Sequence, residues 1–262
     1  MNICVLVASH KKYEMPSDKL YIPIQAGSSL SKDLGYLKDN EGDNISKKNR
    51  GFSELTVLYY AWKNMNDYDY IGLCHYRRYF SLNKRKGKTT KDRINNALKY
   101  NELKELLKDN DIILPKKRNY YIENLYDHYI HTMYSKPLEE TRNIISEKYS
   151  DYLNEFDKLK VRKNAHMFNM FIMKKDILDD YCKWLFDILF ELEKRMKNEK
   201  YDNFHSRFYG RISELLLDVY VNTNKLKYKE INFIDIENIN WYKKGTGFLK
   251  AKFFGKKYDK SF

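Results

Sequence analysis

At 262 residues the chain is long enough for one large α/β domain with a full core. Its cysteines, Cys4, Cys74 and Cys182, are too few and too far apart for a disulfide framework or a zinc ribbon, which points to a reducing compartment. A net charge of +13 calls for anionic partners, without choosing among nucleic acid, phospholipid headgroups and nucleotide-linked substrates.

No apolar run approaches the roughly 20 residues that span a bilayer, and Met1 leads directly into a strand-like run rather than a signal peptide, so a cytoplasmic protein is expected. Tyr and Phe are plentiful, but no RNA-recognition, zinc-finger or helix-turn-helix pattern accompanies them.

Asn2 to Ala8 reads as a first strand, ending in Ser9-His10-Lys11-Lys12. Leu20 to Ile24 is a second short strand, and Gly27 after it suits a tight turn. Asp39 to Asn49 is a polar loop containing Asp43 and Asn44, either ligand-facing or an ordinary surface turn; its spacing does not fit an EF-hand. Leu55, Leu58, Tyr59, Trp62 and Met65 recur at helical spacing over Phe52 to Met65. Ser53 or Asn49 is available as its cap, and Glu54 in the first turn suits the helix dipole.

Tyr70 to Cys74 is a short apolar run that reads as a buried strand, and His75, Arg77 and Arg78 follow it. In an open α/β sheet, ligands bind outside the carboxyl ends of the strands. Two adjacent guanidiniums there suit a phosphate or diphosphate, since each planar fork offers paired donors and keeps its charge. The plainer alternative is surface arginines flanked by packing tyrosines.

Asn83 to Arg93 reads as a loop, and a helix through Leu98 to Leu107 leads to a strand Ile112 to Leu114, closed by Pro115. His128 and His131 are three apart, but no third ligand is near and no metal is expected there. His166 to Met173 reads as a buried strand whose Asn169 needs a partner, a sugar hydroxyl or a backbone group. Ile177 to Met196 is the strongest amphipathic helix, and Tyr201 to Val221 gives a loop and a second helix. On the latter, Arg211 pairs by spacing with Arg207, and Glu214 can bridge to Arg211 or act as a base. Trp241 to Phe262 sets seven lysines among aromatic residues, which suits either an anionic membrane surface or a disordered tail.

The runs Tyr21-Ile-Pro-Ile-Gln-Ala-Gly27, Gly42-Asp-Asn-Ile-Ser46, Glu54-Leu-Thr56, Gly72-Leu-Cys-His-Tyr-Arg-Arg-Tyr-Phe80, His166 to Met173, Trp184 to Glu193 and Ser213-Glu-Leu-Leu216 carry a resemblance. The chain resembles a bacterial glycosyltransferase family of capsular, exopolysaccharide and lipopolysaccharide biosynthesis, long catalogued as a domain of unknown function, whose assigned activity is galactofuranosyl transfer. The likeness runs from Ile3 to about Val221.

It implies a GT-A-like nucleotide-sugar-binding α/β domain over residues 1–222, with a mixed sheet flanked by helices, and a basic, aromatic extension over 223–262. It also implies transfer of a hexosyl group, galactofuranosyl in the first instance, from a UDP-sugar to a lipid-linked or oligosaccharide acceptor. Peripheral contact with an anionic membrane would go with such an acceptor, and nucleic acid is not an expected partner.

Typical GT-A enzymes place an Asp-x-Asp after an apolar strand to hold a metal against the donor diphosphate. Here His75-Tyr-Arg77 takes that place, and the literal matches Asp67-Tyr-Asp69 and Asp109-Asn-Asp111 precede their strands. The expectation is therefore an inverting transferase with a metal-free clamp of Arg77, Arg78 and His75, aided by His10, Lys11 and Arg211. No cofactor is expected, with manganese or magnesium left open. Asn169, Asp43 and Asn44 are candidate sugar or acceptor contacts, and Glu214, His166, Asp202 and His205 are candidate bases in that order. The competing readings are a non-catalytic nucleotide- or glycan-binding module and a basic nucleic-acid binder.

Overall fold

The computed structural model describes residues 1–83 and 87–237. In chain order the strands and helices are β1 (Ile3–Ser9), β2 (Tyr21–Gln25), β3 (Leu37–Lys38), α1 (Asn49–Phe52), α2 (Leu55–Asn64), β4 (Tyr70–His75), β5 (Arg78–Ser81), α3 (Thr90–Asn95), α4 (Tyr100–Leu106), β6 (Ile112–Pro115), β7 (Arg118–Asn119), α5 (Leu125–Thr132), α6 (Ser135–Lys148), α7 (Leu153–Asp157), β8 (Asn164–Ala165), β9 (Phe171–Lys174), α8 (Lys175–Met196), α9 (Phe208–Thr223) and β10 (Lys229–Asp235). Two compact units result. The first comprises Met1–Lys116, His166–Lys183 and Lys227–Glu237; the second comprises, among the described residues, Lys117–Ala165 and Trp184–Leu226.

The first unit holds a mixed eight-stranded sheet in the order β3-β2-β1-β4-β5-β10-β6-β9, and β9 also pairs with β4. That extra pairing closes β4, β5, β10, β6 and β9 into a small five-stranded barrel, with β1, β2 and β3 as a parallel wing. All seven residues of β1 are buried, as expected for a strand flanked by parallel neighbours and covered on both faces. Each barrel strand sends side chains into one apolar cluster: Tyr70, Tyr79, Phe80, Ile113, Ile172, Ile231 and Ile234. A five-stranded ring is too narrow to leave an open lumen, so the inward-facing members of this cluster fill it, while adjacent residues such as Tyr79 and Phe80 face opposite sides of the sheet. Gly72 permits the closure. A Cβ there would lie 2.7 Å from Ile172 on β9 and 2.8 Å from Val5 on β1.

The barrel corrects three expectations. The sheet is not open, because the chain reverses over Tyr76 and Arg77 and pairs Arg78 back against His75. The strand expected from His166 begins only at Phe171, since Phe168 and Asn169 adopt left-handed φ of 76° and 51°, which breaks an extended run. The extension expected from residue 223 contains β10, which pairs with both β5 and β6 inside the barrel. The segment Trp241 to Phe262 lies outside the described residues.

In the second unit, α6, α7, the later part of α8 and α9 accompany a two-stranded ribbon of β7 and β8. Trp184 stacks on Tyr152 at 4.8 Å and meets Tyr220 at 5.3 Å, which ties α8 to α9. Paired guanidinium and carboxylate groups secure the surface, with Arg142 on Asp157 at 2.6 and 2.7 Å. Among the described residues no helix is long and apolar enough to cross a membrane.

Candidate functional site

The parallel pairing of β1 with β4, which sets Ala8 opposite His75, brings His10 and Lys11 to the same sheet end as His75, Arg77 and Arg78. These five groups form one electropositive cluster around the buried ring of Tyr76. His10 meets that ring edge-on at 5.2 Å, Lys11 Nζ lies 5.2 Å from its centroid, and the His75 ring is at 4.3 Å. His75 accepts a long 3.4 Å hydrogen bond at Nδ1 from the backbone N–H of Arg77. Its pKa is pushed well below the usual 6.5, first by burial and then by the charges of Arg77, Arg78, His10 and Lys11. Burial and the neighbouring cations thus act together to keep the imidazole neutral.

The two arginines differ. Arg78 Nε lies 2.9 Å from Asp235 Oδ1, both side chains are nearly enclosed, and its guanidinium sits 4.1 Å over the Phe168 ring. Arg77 is more open and lies 3.7 Å from Glu237, while its buried Nε has no hydrogen-bond partner among the described residues. Glu237 also accepts a 2.6 Å bond from the Tyr13 hydroxyl, whose pKa rises to about 12 through burial and then this carboxylate.

Asn169 sits in the left-handed turn before β9 and donates from Nδ2 to Glu54 Oε1 at 2.7 Å. Glu54 stands at the N-terminus of α2, as expected, but makes no side-chain capping hydrogen bond there. Nor do Ser53 or Asn49 cap it: Ser53 takes a φ of 50° between α1 and α2, and Asn49 donates to its carbonyl. His166 is fully enclosed, with Nε2 at 2.8 Å from Glu230 Oε1, an arrangement that fixes a structure rather than meeting solvent.

Asp43 and Asn44 lie on the surface loop, where Asp43 accepts from the Tyr59 hydroxyl at 3.2 Å and Asn44 Oδ1 accepts from the Ser46 N–H. The carboxylate that organises this region is Asp39. It is wholly buried and accepts from Gly27 N–H, Ser28 N–H, Ser28 Oγ, Ser46 Oγ and Thr56 Oγ1, all within 3.0 Å. Three of the sequence runs quoted above thus meet at one carboxylate whose acceptor positions are filled by protein donors.

The second unit holds the remaining candidates. Glu214 is buried and receives Arg211 Nη1 at 3.3 Å, as the spacing anticipates. Asp202 and His205 form a single dyad. Asp202 Oδ1 accepts the N–H groups of Phe204 and His205 while Oδ2 holds His205 Nδ1 at 2.6 Å, which keeps the Asp202 carboxyl at about 2. His205 Nε2 is buried with no hydrogen-bond partner among the described residues. Sequence reasoning missed Glu123, a buried carboxylate bridging His128 Nδ1 at 3.0 Å and His131 Nδ1 at 2.8 Å. The Glu-x4-His-x2-His spacing was the available signal. Among the described residues no three His, Cys, Asp or Glu side chains are placed to hold a metal ion.

The chain belongs to the family described as a domain of unknown function, DUF4422, whose match covers residues 4–225. It is also similar in structure to the apo form of WbbM, a bifunctional glycosyltransferase, at 27% identity and a TM-score of 0.83 over 91% of this chain. The chain spans about half of that protein, 46% of its length. Comparison with curated proteins gave no match.

Proposed function

We propose that the chain is a glycosyltransferase that binds a UDP-sugar through the cluster of His10, Lys11, His75, Arg77 and Arg78. The observation that carries the reading is the buried Nε of Arg77, which has no hydrogen-bond partner among the described residues and lies at the sheet end that also carries His10, Lys11 and His75. A departing diphosphate accumulates negative charge as the glycosidic bond breaks, and preorganised donors at that place lower the barrier. Family membership and the likeness to WbbM support the reaction class.

The finer reading is inverting transfer of a hexosyl group, galactofuranosyl in the first instance, to a hydroxyl of a bacterial surface glycan intermediate, in a GT-A-like manner and without metal. Asn169 is the first candidate for a sugar contact, with Asp43 and Asn44 as further acceptor contacts. Glu214, His166, Asp202 and His205 are the proposed bases in that order; in the Asp202–His205 dyad a carboxylate orients one ring nitrogen while the other is buried. Arg211, which holds Glu214, is the remaining proposed donor contact.

The test is a panel of UDP-sugars, including both ring forms of galactose, read by thermal stabilisation and by product mass. UDP is expected to raise the melting temperature by mass action. Transfer is expected to survive exhaustive chelation. Loss of activity with chelator and recovery with manganese would overturn the metal-free clamp, and absence of UDP binding would overturn the whole reading.

A further inference from the structure

The second unit exposes a compact apolar tip. Tyr121 is 83% exposed, Ile122 60% and Val161 73%, three of the seven large hydrophobic residues exposed among the described ones. They are neighbours in space as well. The β7–β8 ribbon pairs Arg118 with Ala165 and Asn119 with Asn164. Beyond it, the Tyr120 N–H donates to the Lys163 carbonyl at 2.7 Å and the Leu125 N–H to the Arg162 carbonyl at 2.8 Å. Tyr121 and Ile122 therefore project between two fixed points, alongside the loop that carries Val161.

Their exposure is built in. Tyr120 and Glu123, on either side, turn inward and are buried. The Tyr120 ring packs at a tilt against His128, 4.2 Å between centroids, and Glu123 is held by His128 and His131. Asn124 then caps α5 by accepting the Asp127 N–H at 2.8 Å.

Scattered apolar residues on a surface need no explanation, but an apolar tip pinned outward beside exposed lysines does, even though Lys160 also has Asp157 and Glu139 near it. Lys160 and Lys163 are exposed on the Val161 loop, and Lys117 begins the ribbon. The acidic neighbour Glu155 is already engaged by Lys158 and Arg162. Tyrosine favours the headgroup level of a bilayer, isoleucine and valine the acyl boundary below it, and lysine stems lie along the apolar surface with the ammonium at the phosphates.

We propose that this tip, Tyr121, Ile122 and Val161 with Lys160 and Lys163, docks the protein on an anionic phospholipid surface. The proposal is independent of the donor site and stands on the second unit alone.

The experiment is vesicle co-sedimentation of the full chain with phosphatidylcholine, alone or with about 30 mol% phosphatidylglycerol. The wild type is expected to bind the anionic vesicles in a salt-sensitive way and to bind the neutral ones weakly. A Tyr121→Ser, Ile122→Ser, Val161→Ser triple variant is expected to lose roughly tenfold or more in partitioning. Lys160→Gln with Lys163→Gln should weaken binding and flatten its salt dependence. Since every substituted side chain is exposed, the melting temperature and UDP response should stay at wild-type values.

Equal binding by wild type and triple variant would overturn the proposal and move the contact elsewhere, residues 238–262 first. No binding of wild type to either vesicle would also overturn it. So would a concentration-dependent dimer in light scattering that the triple variant loses while vesicle binding is unaffected, since the tip would then join two copies of the chain.

Discussion

Arg78 and Asp235 are partners at the last register position of the antiparallel β5–β10 ladder, with Nε 2.9 Å from Oδ1 and both side chains nearly enclosed. The pair spends much of the charge of Arg78 on the barrel, so the two adjacent arginines divide their work. Arg78→Ala would strand a buried carboxylate and is expected to cost roughly 3–5 kcal/mol of stability. Arg77→Ala should leave stability within about 0.5 kcal/mol and weaken UDP binding at least tenfold. Denaturant titration and calorimetry separate the two, and equal stability losses would refute the division.

His75 sets a pH dependence of definite sign. Its folded pKa lies well below 6.5, so as pH falls through 6.5 the unfolded chain takes up a proton that the folded chain refuses. The stability it contributes is therefore present above that value and is lost on acidification, until the folded value is reached. His75→Gln should flatten the dependence of the melting temperature on pH in this window. An anion bound beside His75 raises its pKa, so UDP binding near pH 6 is expected to take up protons, measurable by calorimetry in buffers of different ionisation enthalpy. Binding without proton uptake in the wild type would place the diphosphate elsewhere.

Asp39→Asn tests the buried knot of the first unit. The amide would turn a donor toward groups that are themselves donating, and five hydrogen bonds to a charge are lost or weakened. A loss on the order of 3 kcal/mol is expected. Hydrogen exchange should show faster opening of Gly27 to Leu30 and of the first turn of α2, and wild-type protection there would dissociate Asp39 from this role.

Asn169→Asp places a second carboxylate against Glu54, across the present 2.7 Å contact. Two like charges at that distance cannot both ionise cheaply, so one pKa rises. The variant is expected to be less stable than wild type at pH 7 and to recover toward pH 4, a slope opposite to that of the His75 group. Asn169→Ala, which removes the amide without adding charge, should show no such recovery.

The parts of the fold legible in the sequence are those set by local pattern. The continuous apolar runs of β1, β4 and β6 and the amphipathic α8 fall within a residue or two of their expected bounds. The start of β9 is not legible locally, because His166 to Met170 has the composition of a buried strand while Phe168 and Asn169 take left-handed φ. β10 is likewise hidden, since Lys229-Glu-Ile-Asn-Phe-Ile-Asp235 reads as polar until β5 and β6 are placed beside it. The site follows the same division. His75, Arg77 and Arg78 are contiguous and end a strand, so their cluster was visible. Asp235 and Glu237 come from a distant segment and bear on these residues only through the pairing of β10, and Tyr13 reaches Tyr76 through the pairing of β1 with β4, neither of which a local window contains.

The barrel's ring has members from Tyr70 to Asp235 and closes only when β10 pairs on both sides. During synthesis, then, β5 and β6 must wait with bare edges until nearly the whole described chain has left the ribosome. Pairings of such long sequence separation form slowly, and open edges in the interval invite wrong partners. A chain cut before Lys229 would keep every residue of the electropositive cluster and yet lack the strand that seals the sheet beneath it. Such a product should emerge as aggregate rather than as a shortened working protein, so expression trials that trim the basic tail should leave Glu237 in place.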